Sequence, residues 1–114
     1  MKKIKFDISN LAKNCHETLI LAALCKKEKH GYEIALEIEE RSKGNFKFNY
    51  GTLYPTLHKL EKKKFIKGEW EDKSVKRKRK FYLITEKGLE YFDQQKDAWK
   101  EFINSIVSIM GDCE

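Results

Sequence analysis

The chain has 114 residues, which is enough for one compact domain and too few for a large cofactor-binding α/β enzyme. Apolar residues make up 40% and charged residues 37%, and no run approaches the roughly 18 apolar residues of a membrane span. Polar residues follow the basic N-terminus where a signal peptide needs its apolar segment, so we expect a cytoplasmic protein. The three cysteines include no CxxC pair, which favours reduced thiols.

The net charge of +6 is concentrated in one segment. Residues 59–80 carry 11 Lys or Arg and four Asp or Glu, a net charge of +7, so the rest of the chain is close to neutral. A localised positive field attracts a polyanion, either nucleic acid or an anionic membrane surface. The alternative is a solvated surface that only keeps the protein soluble.

Two helices are predicted in the first part of the chain. Ser9 and Asn10 can cap the first, which extends to Leu24 and is apolar almost all round, as expected of a central helix. The second spans about Tyr32 to Ser42, with isoleucines on one side and glutamates on the other.

A third helix follows the turn at Asn49–Thr52. We expect Gly51 or Thr52 to cap it and Pro55 to lie in its first turn, where proline is tolerated. An inward stripe of Leu53, Leu57 and Leu60 leaves polar, aromatic and basic side chains outside.

Two short β-type segments, Phe65–Trp70 and Lys78–Ile84, predict a hairpin, and a long helix from about Thr85 to Met110 completes the chain. This order predicts a mainly α, α+β winged helix-turn-helix with a two-stranded wing. Residues 9–84 would form the DNA-binding domain and residues 85–110 a C-terminal dimerisation helix.

The third helix and the wing carry the candidate DNA-binding residues. A recognition helix needs short polar, aromatic and basic side chains on its outer face, although any amphipathic helix has a polar outer face. The basic wing residues can reach phosphates, which positions a protein on DNA without reading sequence. The helix candidates are Tyr50, Thr52, Tyr54, His58 and Lys59, and the wing candidates are Lys76, Arg77, Lys78 and Arg79.

The C-terminal helix repeats apolar residues at steps of three and four, interrupted by one lysine. Such a seam needs a partner surface, most simply a second copy of the chain, although the helix could fold back on its own domain. Two copies of Trp99 near a dimer axis could enclose a flat aromatic ligand, or the indole could simply fill the interface. The candidate ligand residues are Cys15, Phe92, Lys96, Trp99 and Ile103.

Catalytic and metal-binding patterns are absent from the sequence. There is no HExxH, no GxSxG and no phosphate loop, and the histidines lack metal-ligand partners at useful spacing. We therefore expect no enzyme, no cofactor and no bound metal.

Three segments, His30–Ile34, Tyr50–Glu61 and Arg77–Gly88, resemble the PadR-type transcriptional regulators in order and spacing. The match extends over about residues 15 to 90, and its GTLYP box and TEKG-like box are specific. The resemblance implies a homodimeric winged-helix repressor that binds imperfect palindromes in promoters and is often released by small aromatic or multidrug ligands. It also implies that the GTLYP helix enters the major groove while the wing holds phosphate.

Some drug-responsive members of that family place a tryptophan where Trp99 stands, counted from the TEKG-like box. Because Lys96 lies one turn before it, an anionic aromatic ligand fits better here than a cationic drug. The competing hypothesis is a winged-helix protein-interaction module that binds no specific DNA.

Overall fold

The computed structural model of the chain describes residues 15–71 and 79–111. Four helices and three strands occur there, and the strands form an antiparallel sheet in the order β1-β3-β2. This arrangement confirms the predicted winged helix-turn-helix with a long C-terminal helix. The elements are α1 (His16–Leu24), β1 (Lys29–His30), α2 (Gly31–Arg41), α3 (Tyr50–Lys62), β2 (Ile66–Trp70), β3 (Lys80–Ile84) and α4 (Glu86–Gly111).

The core lies where the first three helices meet the sheet. The predicted stripe of Leu53, Leu57 and Leu60 on α3 is fully buried and packs with apolar residues of α1 and α2. Each such aliphatic side chain contributes about 1.5–3 kcal/mol on burial. The core therefore fixes which face of α3 is left for solvent. The other core residues are Ile20, Leu21, Ala23, Leu24, Ile34, Ile38, Ile66 and Tyr82.

The predicted start of α3 was wrong. Asn49 is the N-cap, because its side-chain oxygen accepts the backbone N–H of Thr52 at 2.9 Å. The helix therefore begins at Tyr50, and Pro55 falls in its second turn. Because proline lacks an N–H, the carbonyl of Gly51 receives no helical hydrogen bond from it.

The sheet contains one strand that the sequence did not predict. β1 pairs with β3 through Lys29 opposite Tyr82 and His30 opposite Phe81. The predicted hairpin is confirmed as β2 and β3, and the N–H of Glu71 donates to the carbonyl of Arg79 at 2.7 Å. The wing residues 72–78 that join them, like the proposed cap at residues 9 and 10, lie outside the described residues.

The first turn of α4 is fixed against the corner between α3 and β2. Thr85 donates its hydroxyl to the carbonyl of Lys64 at 2.8 Å and accepts the N–H of Gly88 at 3.0 Å. A Cβ at Gly88 would lie 2.0 Å from the carbonyl oxygen of Phe65, so this contact requires glycine. The Phe65 ring stacks on Tyr91 at 4.1 Å.

The two halves of α4 have different surroundings. Its first half packs against α1, so that part of the helix does fold back on its own domain. Its last 11 residues are all exposed, although many are apolar. The exposed apolar residues of this half are Phe102, Ile103, Ile106, Val107, Ile109 and Met110.

Candidate nucleic-acid interface

A cleft of about 650 Å³ separates the outer face of α3 from the wing; we call it the helix–wing cleft. Tyr54 and His58 project from α3, one helical turn apart, and Arg79 and Lys80 belong to the wing. Aromatic and cationic groups thus share one open surface. The cleft is lined by His30, Gly31, Tyr32, Tyr54, His58, Trp70, Arg79, Lys80 and Tyr82.

Tyr54 is placed by close packing against the start of α2. A Cβ at Gly31 would lie 3.0 Å from its hydroxyl oxygen, so a side chain there would press on the Tyr54 ring. The ring of Tyr50, one turn earlier, lies 5.8 Å away between centroids. Both tyrosines are exposed, at 41% for Tyr54 and 61% for Tyr50, and Tyr54 is the one that lines the cleft.

His30 lies between the start of α2 and the base of the wing. Its Nδ1 lies 2.6 Å from a carboxylate oxygen of Glu33, and its Nε2 lies 3.2 Å from one of Glu71. The backbone N–H of His30 also donates to Glu33 at 2.9 Å, which completes a capping box. This backbone hydrogen bond, with that of the His30 ring, lowers the pKa of Glu33.

Lys80 is held inside the cleft rather than projecting from it. Its ammonium donates to Glu61 at 3.0 Å, with side-chain exposures of only 23% for the lysine and 27% for the glutamate. Burial, followed by the charge of Glu61, raises the pKa of nearby Tyr82 to about 12. The end of α3 and the start of β3 are thus joined by one polar contact, from Lys80 to Glu61.

A second side of α3 faces α1 and α4. Lys59 and Lys63 lie 3.6 Å and 3.3 Å from the carboxylate of Glu17, which also accepts the hydroxyl of Tyr91 at 3.3 Å. Burial and the charge of Glu17 raise the pKa of Tyr91. Gln95 donates to the Tyr91 hydroxyl at 2.8 Å. Lys59 therefore lines a different cavity from Tyr54 and His58.

The remaining predicted DNA contacts lie at the two ends of this surface. Tyr50 and Thr52 belong to the first turn of α3, where the helix dipole favours an anion; the N–H of Thr52 itself donates to Asn49. Arg79 is exposed beside β3. Lys76, Arg77 and Lys78 fall outside the described residues.

The predicted ligand residues lie mostly along one flank of α4. The Lys96 ammonium lies 5.3 Å above the Phe92 ring, and Trp99 meets Phe102 edge-on at 5.4 Å. Trp99 is half-buried, whereas Ile103 is 51% exposed. Cys15 precedes α1, and burial raises the pKa of its thiol.

Several residues of this surface were missed by sequence reasoning. Trp70 and Tyr82 were assigned to the hairpin as strand formers, and no local pattern indicated that their rings border the cleft. No rule of sequence spacing predicts that Glu17 or Glu61 pairs with lysines distant in the chain. The capping box of His30 and Glu33 could have been predicted from the sequence, because the two residues are separated by three positions.

The described part of the chain also bears on two other classes of function, metal binding and membrane insertion. Within residues 15–71 and 79–111, no three His, Cys, Asp or Glu side chains are grouped so that they could hold a metal ion. In the same part of the chain, no helix has the length and apolarity needed to cross a bilayer.

A helix-turn-helix whose second helix borders a basic hairpin is a winged-helix DNA-binding fold. The model of the transcriptional regulator PadR-like family matches residues 20–94. The chain therefore belongs to this family of transcriptional regulators, as the GTLYP and TEKG-like boxes predicted.

Individual relatives agree with this assignment. The uncharacterized protein X of Lysinibacillus sphaericus is 34% identical over 101 residues, 89% of this chain and 92% of that protein. A transcriptional regulator from Clostridium thermocellum superposes with a TM-score of 0.80 at 27% identity, over 88% of this chain and 97% of that chain. Bacillus subtilis PadR in complex with operator DNA gives a TM-score of 0.63 at 26% identity, over 69% of this chain and 45% of that chain.

Proposed function

We propose that the chain is a sequence-specific, homodimeric repressor that acts in the cytoplasm on promoter DNA. The observation that carries this proposal is the helix–wing cleft, where the exposed face of α3 and the basic start of β3 border one open surface. The structure of Bacillus subtilis PadR with operator DNA supports the same use of this fold here.

In this proposal the two parts of the surface have different roles. Tyr54 and His58 enter the major groove and contact base edges, and the first turn of α3 receives a phosphate at Tyr50 and Thr52. Arg79, with the wing residues 76–78, contacts phosphates on the other side of the cleft and supplies affinity without sequence preference. Lys59 adds to the phosphate contacts beside Glu17, because its side chain is still 63% exposed.

The exposed apolar half of α4 supports the homodimer. Six large apolar side chains there are between 38% and 73% exposed, a patch that a monomer in water would leave uncovered. A second copy of α4 and of α1 would cover it through a two-fold axis. Two recognition helices related by that axis suit a pseudo-palindromic site.

Release by a small aromatic effector is the last part of the proposal. Trp99 is half-buried on the flank of α4 that leads to the dimer seam, and Lys96 lies one turn before it. An aromatic carboxylate could stack on the indole and pair with the ammonium. Phe92, Ile103 and Cys15 would border this ligand.

Fluorescence anisotropy against promoter DNA and a scrambled duplex tests the DNA-binding roles. Tyr54→Ala should weaken promoter binding on the order of tenfold and leave scrambled DNA nearly unaffected. Arg79→Ala should weaken both and reduce the slope of log affinity against log salt by about one.

Arg41→Ala is the matched control, since Arg41 is 66% exposed at the far end of α2 and pairs with Glu37. It removes the same charge away from the cleft and should leave the salt slope unchanged. If Arg79→Ala and Arg41→Ala behaved alike, or Tyr54→Ala bound both duplexes like wild type, this surface would not be the DNA-binding surface. The protein-interaction hypothesis would then replace it.

A further inference from the structure

Lys80 is less exposed than three other lysines of the basic segment, Lys59, Lys63 and Lys67. Its side chain is 23% exposed, whereas those of Lys59, Lys63 and Lys67 are 63%, 42% and 69% exposed. Its ammonium donates to Glu61 at 3.0 Å, across the gap between β3 and the last turn of α3. A cation in this position is already engaged by the protein.

Aromatic rings and a glycine complete the surroundings of this ammonium. It lies 5.7 Å from the ring centroid of Trp70 and 5.4 Å from that of Tyr82, distances at which a ring face attracts a cation. A Cβ at Gly68 would lie 2.2 Å from Cε of Lys80. The lysine side chain therefore crosses β2 at the one residue of the strand that leaves room for it.

We propose that Lys80 and Glu61 form a clip that positions the wing against the recognition helix, and that Lys80 itself contacts no phosphate. This inference rests on the proposed function. Glu61 belongs to the helix that carries Tyr54 and His58, and Lys80 adjoins Arg79 on the wing. The clip thus sets the distance between the base-reading side and the phosphate-binding side of the cleft.

A phosphate contact by Lys80 would be electrostatically costly. The ammonium would have to leave Glu61, and the carboxylate would then stand unpaired beside a polyanion. Held in the clip, the same lysine neutralises Glu61, so the carboxylate does not repel the DNA phosphates. Arg79 and the other wing cations are then the phosphate contacts.

Three substitutions test the clip without relying on one chemistry. Glu61→Gln removes the charge that holds the ammonium, Lys80→Met removes the ammonium, and Gly68→Ala displaces it with no change of charge. Each should weaken promoter binding on the order of tenfold, since positioning is lost. The salt slope should stay at the wild-type value, because no phosphate contact has been removed.

The direction of the Glu61→Gln effect separates the clip from simple electrostatics. Removing an acidic charge near DNA should tighten binding if charge alone mattered. Glu69→Gln is the matched control, since Glu69 lies on β2 and pairs with Lys67 at 3.2 Å, outside the clip. Glu69→Gln should leave binding unchanged or slightly tighter, whereas Glu61→Gln should weaken it.

Lys80→Arg should retain most of the wild-type affinity, because a guanidinium can pair with Glu61 and lie over the same rings. Thermal unfolding establishes that each variant is folded, and if Lys80→Met fails to fold, Glu61→Gln and Lys80→Arg still decide the question. If Lys80→Met lowered the slope of log affinity against log salt by about one, or if Glu61→Gln bound the promoter more tightly, the clip would be overturned and the proposed function would stand. A wild-type protein that does not prefer its promoter would instead overturn the proposed function.

Discussion

Shortening one side chain in the exposed half of α4 should weaken the proposed dimer strongly. Ile103 is 51% exposed in the single chain, so a dimer interface can bury about half of its surface. Full burial of such a side chain is worth about 1.5–3 kcal/mol, and half of it therefore about 0.8–1.5 kcal/mol. A two-fold interface contains the residue twice. Ile103→Ala should then cost about 1.5–3 kcal/mol, or about 10–150-fold in the dimer dissociation constant.

Sedimentation equilibrium over a range of protein concentrations measures this constant. Leu36→Ala is the matched control, because Leu36 is 58% exposed on α2 and lies outside the seam. It should leave the dimer unchanged. A wild-type chain of 13.6 kDa at every concentration would refute the two-fold interface, and equal behaviour of the two variants would remove Ile103 from it.

Three further predictions concern stability, and urea unfolding measures each of them. Gly88→Ala should destabilise the fold by about 1–3 kcal/mol, since its Cβ would lie 2.0 Å from the carbonyl oxygen of Phe65. Gly111→Ala is the control and should be neutral, because the space around Gly111 is open. Equal free energies of unfolding for the two variants would refute the close contact. Asn49→Ala should cost about 1 kcal/mol through loss of the α3 cap, and Asn49→Asp should restore it; an unchanged stability would show that the cap is unimportant. The pKa of Tyr82 is raised to about 12 in the folded state, so its contribution to the free energy of unfolding is complete below about pH 10 and is lost as the pH rises from about 10 to 12. Tyr82→Phe should lack this loss of stability, and a loss of equal size in the variant would assign it to other groups.

The helices were predictable because their burial pattern is local. Leu53, Leu57 and Leu60 recur at helical spacing, and the structure buries all three. The start of α3 was not determined in the same way, since Asn49, Gly51 and Thr52 are all acceptable caps. Only the hydrogen bond from the N–H of Thr52 to Asn49 selects one of them.

Features that depend on distant pairing could not be predicted. β1 has two residues, too few for any periodicity, and its strand conformation comes from pairing with β3. The basic composition of residues 59–80 indicated a polyanion partner but not which cations are free. That distinction comes from Glu17 and Glu61, which the fold brings to Lys63 and Lys80 from 46 and 19 residues away.

The central claim is that this chain recognises a particular promoter sequence through the helix–wing cleft. The most direct measurement is a titration of the wild-type protein against the DNA upstream of its own gene, at two salt concentrations and with excess nonspecific competitor. We expect saturable binding that survives the competitor and weakens steeply with salt, as several phosphate contacts require. Binding that the competitor abolishes at both salt concentrations would contradict the claim and leave only a basic surface.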